Sequence, residues 1–147
     1  MPSTAAALKP SLAPPLQPTG GPHGLPLLPS GESLVLDAPG WTRGIGTGGR
    51  VWPASAALCR YLARTGAVRG KAVLELGCGT GLPGIVAARL GASRLVLTDG
   101  TVEVLARAKS NAAANLRDVP WAAQQLLFGE VTPEELAGKF DVLIASD

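Results

Sequence analysis

The chain predicts an α/β fold with a doubly wound parallel sheet, and three observations carry that expectation. Apolar runs of strand length alternate with helix-length segments from Lys71 to Asp147. A glycine-rich turn, "ELGCGTG", follows the first of these runs. An acid, Asp99, ends the second run, about twenty residues further on, where such sheets place a ribose-binding carboxylate.

The elements follow in order. "SLVLD", Ser33 to Asp37, reads as a short preliminary strand, and "APGWTRGIGTGG" after it as a loop rich in turn residues. That loop lacks the Lys-Ser/Thr ending of a phosphate-binding loop, and no apolar strand leads straight into it, so a flexible loop is the better reading. Trp41 within it could pack on the fold or meet a partner. A helix is expected from about Pro53, where a proline suits the first turn. Its predicted inner face is Ala54, Leu58, Tyr61 and Leu62. "KAVLEL" is the first strand of the alternation, and Leu82 to Leu90 a short helix closed by Gly91. "SRLVLTD" is the second strand. Thr101 to Leu116 is the second helix of the alternation, with Val102, Leu105, Ala112 and Leu116 along one stripe. "AAQQLLFG" is a weaker third strand, "TPEELAG" a helical turn, and "FDVLIASD" the fourth strand.

Composition narrows the class. At 147 residues the chain is one domain at most. Residues 1–30 hold eight of the thirteen prolines and no acid. They read as a disordered Pro/Ala-rich tail, with the folded domain spanning 31–147. A net charge of +2 with scattered basic residues gives no nucleic-acid stripe. No run approaches the roughly 18 apolar residues of a membrane span. Cys59 and Cys78 make no disulfide framework, which favours a reducing compartment, the cytoplasm by default, with nucleus or organelle left open. His23 alone offers neither a metal site nor a catalytic dyad.

Gly77, Gly79 and Gly81 sit where ligands bind, beyond the carboxyl end of the first strand. A dinucleotide turn would need G-x-G-x-x-G, which this order fits poorly. Glu75, just before the turn, would also repel a pyrophosphate. A carboxylate there suits a ligand bearing an amine and a sulfonium, which describes S-adenosylmethionine. The alternative for Glu75 is a solvated charge at a strand end.

These residues resemble the class I, seven-strand methyltransferases. More narrowly, "GGRVWPAS…LCRYL", "GKAVLELGCGTGLPGIVAARLGA", "VLTD", the pair Asn111 and Asn115, and "FDVLIASD" are similar to the family 16 protein methyltransferases, most of which modify lysine. The likeness runs from Gly48 to Asp147. It implies a Rossmann-like methyltransferase sheet, strands one to four only, from an N-terminal fragment with S-adenosylmethionine as cofactor. By that resemblance Trp52 lies against the cofactor. The turn of Glu75, Gly77, Cys78, Gly79, Thr80 and Gly81 holds its methionine end, and Asp99 takes the ribose. Phe128 stands where the family has a tryptophan near the adenine. Asp147 begins a D-x-x-Y motif that borders the catalytic site where the acceptor amine enters; the Tyr lies past the last residue. Asn111 and Asn115 could instead cap or satisfy backbone.

The implied partner is a protein substrate of a monomeric enzyme, with no nucleic acid and no membrane. Lysine is the expected acceptor, with arginine, a small molecule or nucleic acid, and a non-catalytic binding role, as alternatives. A lysine amine, with a reference pKa of about 10.4, must be held neutral, at a cost on the order of 4–5 kcal/mol near pH 7. Desolvation and alignment then supply the rate without an acid–base dyad.

Overall fold

In a computed structural model, which describes residue 28, residues 30–40, residue 43, residues 45–130, residue 134 and residues 136–146, the apolar runs form four strands. These are β1 (Ala72–Leu76), β2 (Arg94–Asp99), β3 (Trp121–Gln125) and β4 (Val142–Ala145). Three helices accompany them: α1 (Pro53–Thr65), α2 (Leu82–Arg89) and α3 (Val102–Asn115). The strands pair in parallel in the order β3-β2-β1-β4, with Leu74 opposite both Val96 and Leu143.

Strand alternation sends neighbouring side chains to opposite faces. Val73 on β1, Leu95 and Leu97 on β2, and Ile144 on β4 join the main core with Leu62, Leu82, Ile85, Leu105 and Ala108 from the helices. Leu74 and Val96 face the other way, under Leu126, Leu136 and Phe140 from the β3–β4 connection. No helix among the described residues is long and apolar enough to cross a membrane.

Four expectations are corrected. The inner face of α1 is Ser55, Cys59 and Leu62, while Tyr61 is 50% exposed. Small side chains on that stripe let α1 lie close against α2, so the bulkier tyrosine turns outward. On α3, Val102 is exposed, and the buried face instead includes Val104, Ala108, Asn111 and Asn115. The third strand runs Trp121–Gln125, ending before the "LLFG" that was read into it. The segment read as a helical turn is partly outside the described residues, and residues 136–138 form a turn. His23, Trp41 and nearly all of the 1–30 tail also lie outside them. Leu28, which is described, is buried against the main core.

The largest correction concerns Ser33 to Asp37, which joins no sheet. The alternation is real: Leu34 is buried, and Ser33 and Val35 point outward. Its hydrogen-bonding partner is a helix. Asn115 Oδ1 accepts the Val35 N–H at 2.9 Å, and Asn115 Nδ2 donates to the Val35 carbonyl at 2.6 Å. One helical turn earlier, Asn111 Oδ1 accepts the Asp37 N–H at 2.8 Å and Asn111 Nδ2 donates to the Asp37 carbonyl at 3.2 Å. A two-residue strand step thus matches a four-residue helix step, and each carboxamide supplies the donor–acceptor pair that a neighbouring strand would. Ion pairs from Arg89 to Glu32 and from Arg107 to Asp37 flank this strap.

Replacing Asn111 or Asn115 by leucine leaves strap backbone groups unpaired, and each change is expected to destabilise the fold by about 1–3 kcal/mol in urea unfolding. Amide exchange should accelerate at Asp37 for Asn111→Leu and at Val35 for Asn115→Leu.

Candidate ligand site

The turn after β1 is shaped by its three glycines. Gly77, Gly79 and Gly81 have φ of 60°, 53° and 79°, a region that L-residues with a Cβ rarely adopt. The turn is tied to the end of β2 by the Cys78 N–H, which donates to the Thr98 carbonyl at 2.8 Å. It is tied again by the Gly79 N–H, which donates to Asp99 Oδ2 at 3.0 Å. The other oxygen of Asp99 accepts the Thr101 N–H at the start of α3, also at 3.0 Å. An ionised carboxylate has about four lone-pair sites, so Asp99 keeps two for a ligand while holding the turn in shape.

A second wall comes from the loop before α1. Thr47–Gly49 forms a short 3-10 turn. A Cβ at Gly48 would come within 2.5 Å of Val104, and one at Gly79 would come 3.3 Å from the Gly48 carbonyl. Glycine therefore lets the loop seat on α3 and pass close over the turn. The loop read as a flexible entry loop forms the roof of the site.

Between these walls lies a cleft of about 210 Å³. Of the residues expected from sequence, Trp52, Gly77, Cys78, Gly79, Thr80 and Asp99 line it. Sequence reasoning missed Ile45, Thr47 and Gly48 of the roof, Arg50, Ser55, Thr101, Val104 and Ser146. The glycine spacing of "GIGTGG" was the available signal for the roof; for Ser55, its place one turn into the helix after Trp52 was the only cue. Ser55 and Ser146 approach to 3.0 Å between their hydroxyl oxygens, joining α1 to the end of β4. Arg50 stacks its guanidinium over the Trp52 ring, 4.9 Å from the centroid.

Three expected residues are elsewhere, and Asp147 lies outside the described residues. Gly81 is buried beneath the turn, against Ala108 and Leu97. Phe128 is 76% exposed, and its ring tip comes near Gly77 from outside the cleft. Glu75 stands behind the wall at 1% exposure, so it is no solvated strand-end charge. Its Oε2 accepts the Gly84 N–H at 2.9 Å. Burial pushes its pKa up to about 8, helped by the nearby charge of Asp99 and opposed by the Gly84 hydrogen bond. Burial likewise raises the thiols of Cys59 and Cys78, which keeps both protonated and poor as nucleophiles.

A family model described as lysine methyltransferase matches residues 33–147. The chain is 42% identical over 110 residues to mouse (Mus musculus) "Protein N-lysine methyltransferase METTL21A", covering 71% of this chain and 49% of that protein. It is 35% identical over 101 residues to "Calmodulin-lysine N-methyltransferase" of Arabidopsis thaliana, covering 65% of this chain and 33% of that protein. Among solved structures, magnesium protoporphyrin IX methyltransferase from Synechocystis, with bound SAH, matches with a TM-score of 0.51. That match has 22% identity and covers 62% of this chain and 39% of the other; at that identity it shows the fold. The chain spans about half the length of these relatives or less.

The Glu75 carboxyl gives the fold a pH dependence with a definite sign. Its folded pKa lies above the unfolded value of 4.5, so between about pH 4.5 and 8 the folded chain holds one proton more. Stability from this group is full below that window and is lost as pH rises through it, by up to about 1.4 kcal/mol per pH unit. Glu75→Gln should remove the slope. The melting temperature of the variant relative to the unsubstituted chain is expected to climb steadily from pH 5 to pH 8.

Proposed function

The chain belongs to the lysine methyltransferase family whose model spans residues 33–147, and we propose that its cleft holds S-adenosylmethionine for methyl transfer to a protein lysine. The observation that carries this reading is the meeting of the Gly77–Thr80 turn, Asp99 and Trp52 on one cleft.

The donor set fits such a cofactor. Asp99 has two acceptor sites left for ribose hydroxyls. The turn offers backbone without side chains in the way, and Trp52 an aromatic face. The Thr47, Ser55, Thr101 and Ser146 residues add short polar side chains around the wall.

When bound, S-adenosylmethionine supplies a methyl group activated on sulfonium, which a neutral amine can accept. The residues of this chain position and enclose. Asp99 would hold the ribose, the Gly77–Thr80 turn would take the methionine end, and Trp52 would offer its ring face to the cofactor. Glu75 and Gly81 act through the turn, the first by fixing the start of α2 and the second by closing the turn onto Leu97. Asp147 follows Ser146 directly and is the candidate for the border with the acceptor amine. Nothing in the described cleft serves as a general acid–base dyad, in keeping with a reaction driven by alignment.

Isothermal titration with S-adenosylhomocysteine tests the reading. The unsubstituted chain is expected to bind it, and Asp99→Asn, which replaces one acceptor oxygen by an amide donor, should weaken it at least tenfold. A folded chain that does not bind S-adenosylhomocysteine, or binds it equally with Asn at position 99, would refute the assignment.

A further inference from the structure

Two charged side chains line the cleft among the described residues, and they have opposite signs. Asp99 comes from the sheet end, and Arg50 from the roof loop. The first has a role in the turn and a natural ligand in the ribose. The second has none among the described residues: the Arg50 guanidinium takes part in no side-chain hydrogen bond and no ion pair there.

Arg50 is nonetheless held in place. Its backbone N–H donates to the Thr47 carbonyl at 3.1 Å, closing the 3-10 turn. Its guanidinium lies over the Trp52 ring at 4.9 Å. The side chain is exposed, and its contact with the ring leaves the N–H donors of a planar guanidinium free to grip a carboxylate in two parallel hydrogen bonds. The stack also removes rotamer freedom before a ligand arrives, so less entropy is lost on binding.

We propose that Arg50 is the anion-recognition group of this cleft and binds the α-carboxylate of the amino-acid end of the ligand. The inference rests on the cofactor reading above, and deepens it by giving the amino-acid end its own counter-charge. The ligand then meets one carboxylate at its nucleoside end and one guanidinium at its amino-acid end. That arrangement selects a nucleoside joined to an amino acid over the nucleoside alone.

Two ligands separate the contributions. S-Adenosylhomocysteine carries the amino-acid end; 5′-methylthioadenosine keeps the nucleoside and thioether but lacks it. Binding of each to the full chain is measured by isothermal titration, for the unsubstituted protein and for Arg50→Ala, Arg50→Met and Arg50→Lys. Arg50→Ala and Arg50→Met are expected to weaken S-adenosylhomocysteine about tenfold or more and leave 5′-methylthioadenosine unchanged. Arg50→Lys, which keeps the charge but loses the planar fork, should fall between. Met preserves an apolar stem against Trp52, so its agreement with Ala excludes lost packing as the cause. Equal weakening of both ligands, or no change in either, overturns the role of Arg50 while leaving the cofactor reading intact. An unsubstituted chain that binds neither ligand overturns the cofactor reading, and this proposal with it.

Discussion

Glu75 sits where β1 hands the chain to α2, and its carboxyl is buried against the N–H of that helix's third residue, Gly84. The residue before the helix, Gly81, offers no side-chain cap. The orphan donor that every helix start leaves is therefore satisfied from the sheet behind it. The cost of burying a carboxyl there is met by keeping it protonated over most of the neutral range. Space is just as tight. A Cβ at Gly84 would lie 2.5 Å from both Glu75 Oε2 and Leu97 Cδ2. The close approach of α2 to β1 and β2 thus rests on glycine at 84 and a buried acceptor oxygen at 75 together. The intervening turn, and every backbone group it presents to the cleft, follows from that pairing.

The roof of the cleft depends on a second polar device. Asn111 does more than hold the strap, since its Nδ2 also donates to the Thr80 carbonyl at 2.9 Å. One buried carboxamide therefore connects the strap at Asp37, helix α3 and the wall of the cleft. From the strap the chain returns through the Gly40 N–H, which donates to the Gly49 carbonyl at 3.0 Å, into the roof turn. This network ties the strap to both walls. Asn115, bonded to Val35 and to the Asn111 carbonyl, braces the same segment without touching the turn. The two asparagines look equivalent in sequence and differ in what they reach.

Much of this was legible. The period-two and period-3.6 patterns from Lys71 onward name the strands and helices, because burial on one face leaves a repeat in the sequence. The glycine turn and Asp99 were found together because each glycine answers a backbone need at a fixed spacing. The strap escaped because its apolar alternation is that of a strand while its partner is a pair of side chains eighty and seventy-four residues away. Pairing identity is a long-range property, and a local pattern does not encode it. Ser55 and Val104 escaped for a related reason: each is an ordinary residue on a helix until the roof loop folds over it. Glu75 was read as a ligand group because its type fits a cation; its position on the core-facing side of β1 puts it behind the wall instead. The same alternation that placed Val73 inside places Glu75 inside, and chemistry alone could not say so.

Asp99 shows why the two kinds of role are hard to separate by substitution. Its carboxylate closes the turn through Gly79 and starts α3 through Thr101, so it shapes the site before any ligand is present. Truncation to alanine would release both backbone donors, and a loss of binding would then mix recognition with collapse of the turn. Donors and acceptors at that point are balanced: two backbone N–H groups use two lone pairs, and a vicinal diol offers the two further donors that the carboxylate can accept. A preformed acceptor of that kind loses little on binding, because the carboxylate is already oriented by the groups it holds. The same logic applies across the cleft, where stacking on Trp52 orients Arg50. Both charged groups are held by contacts within the chain, so under the proposed reading a ligand's affinity at either end would depend on the turn and the roof as much as on the charges themselves.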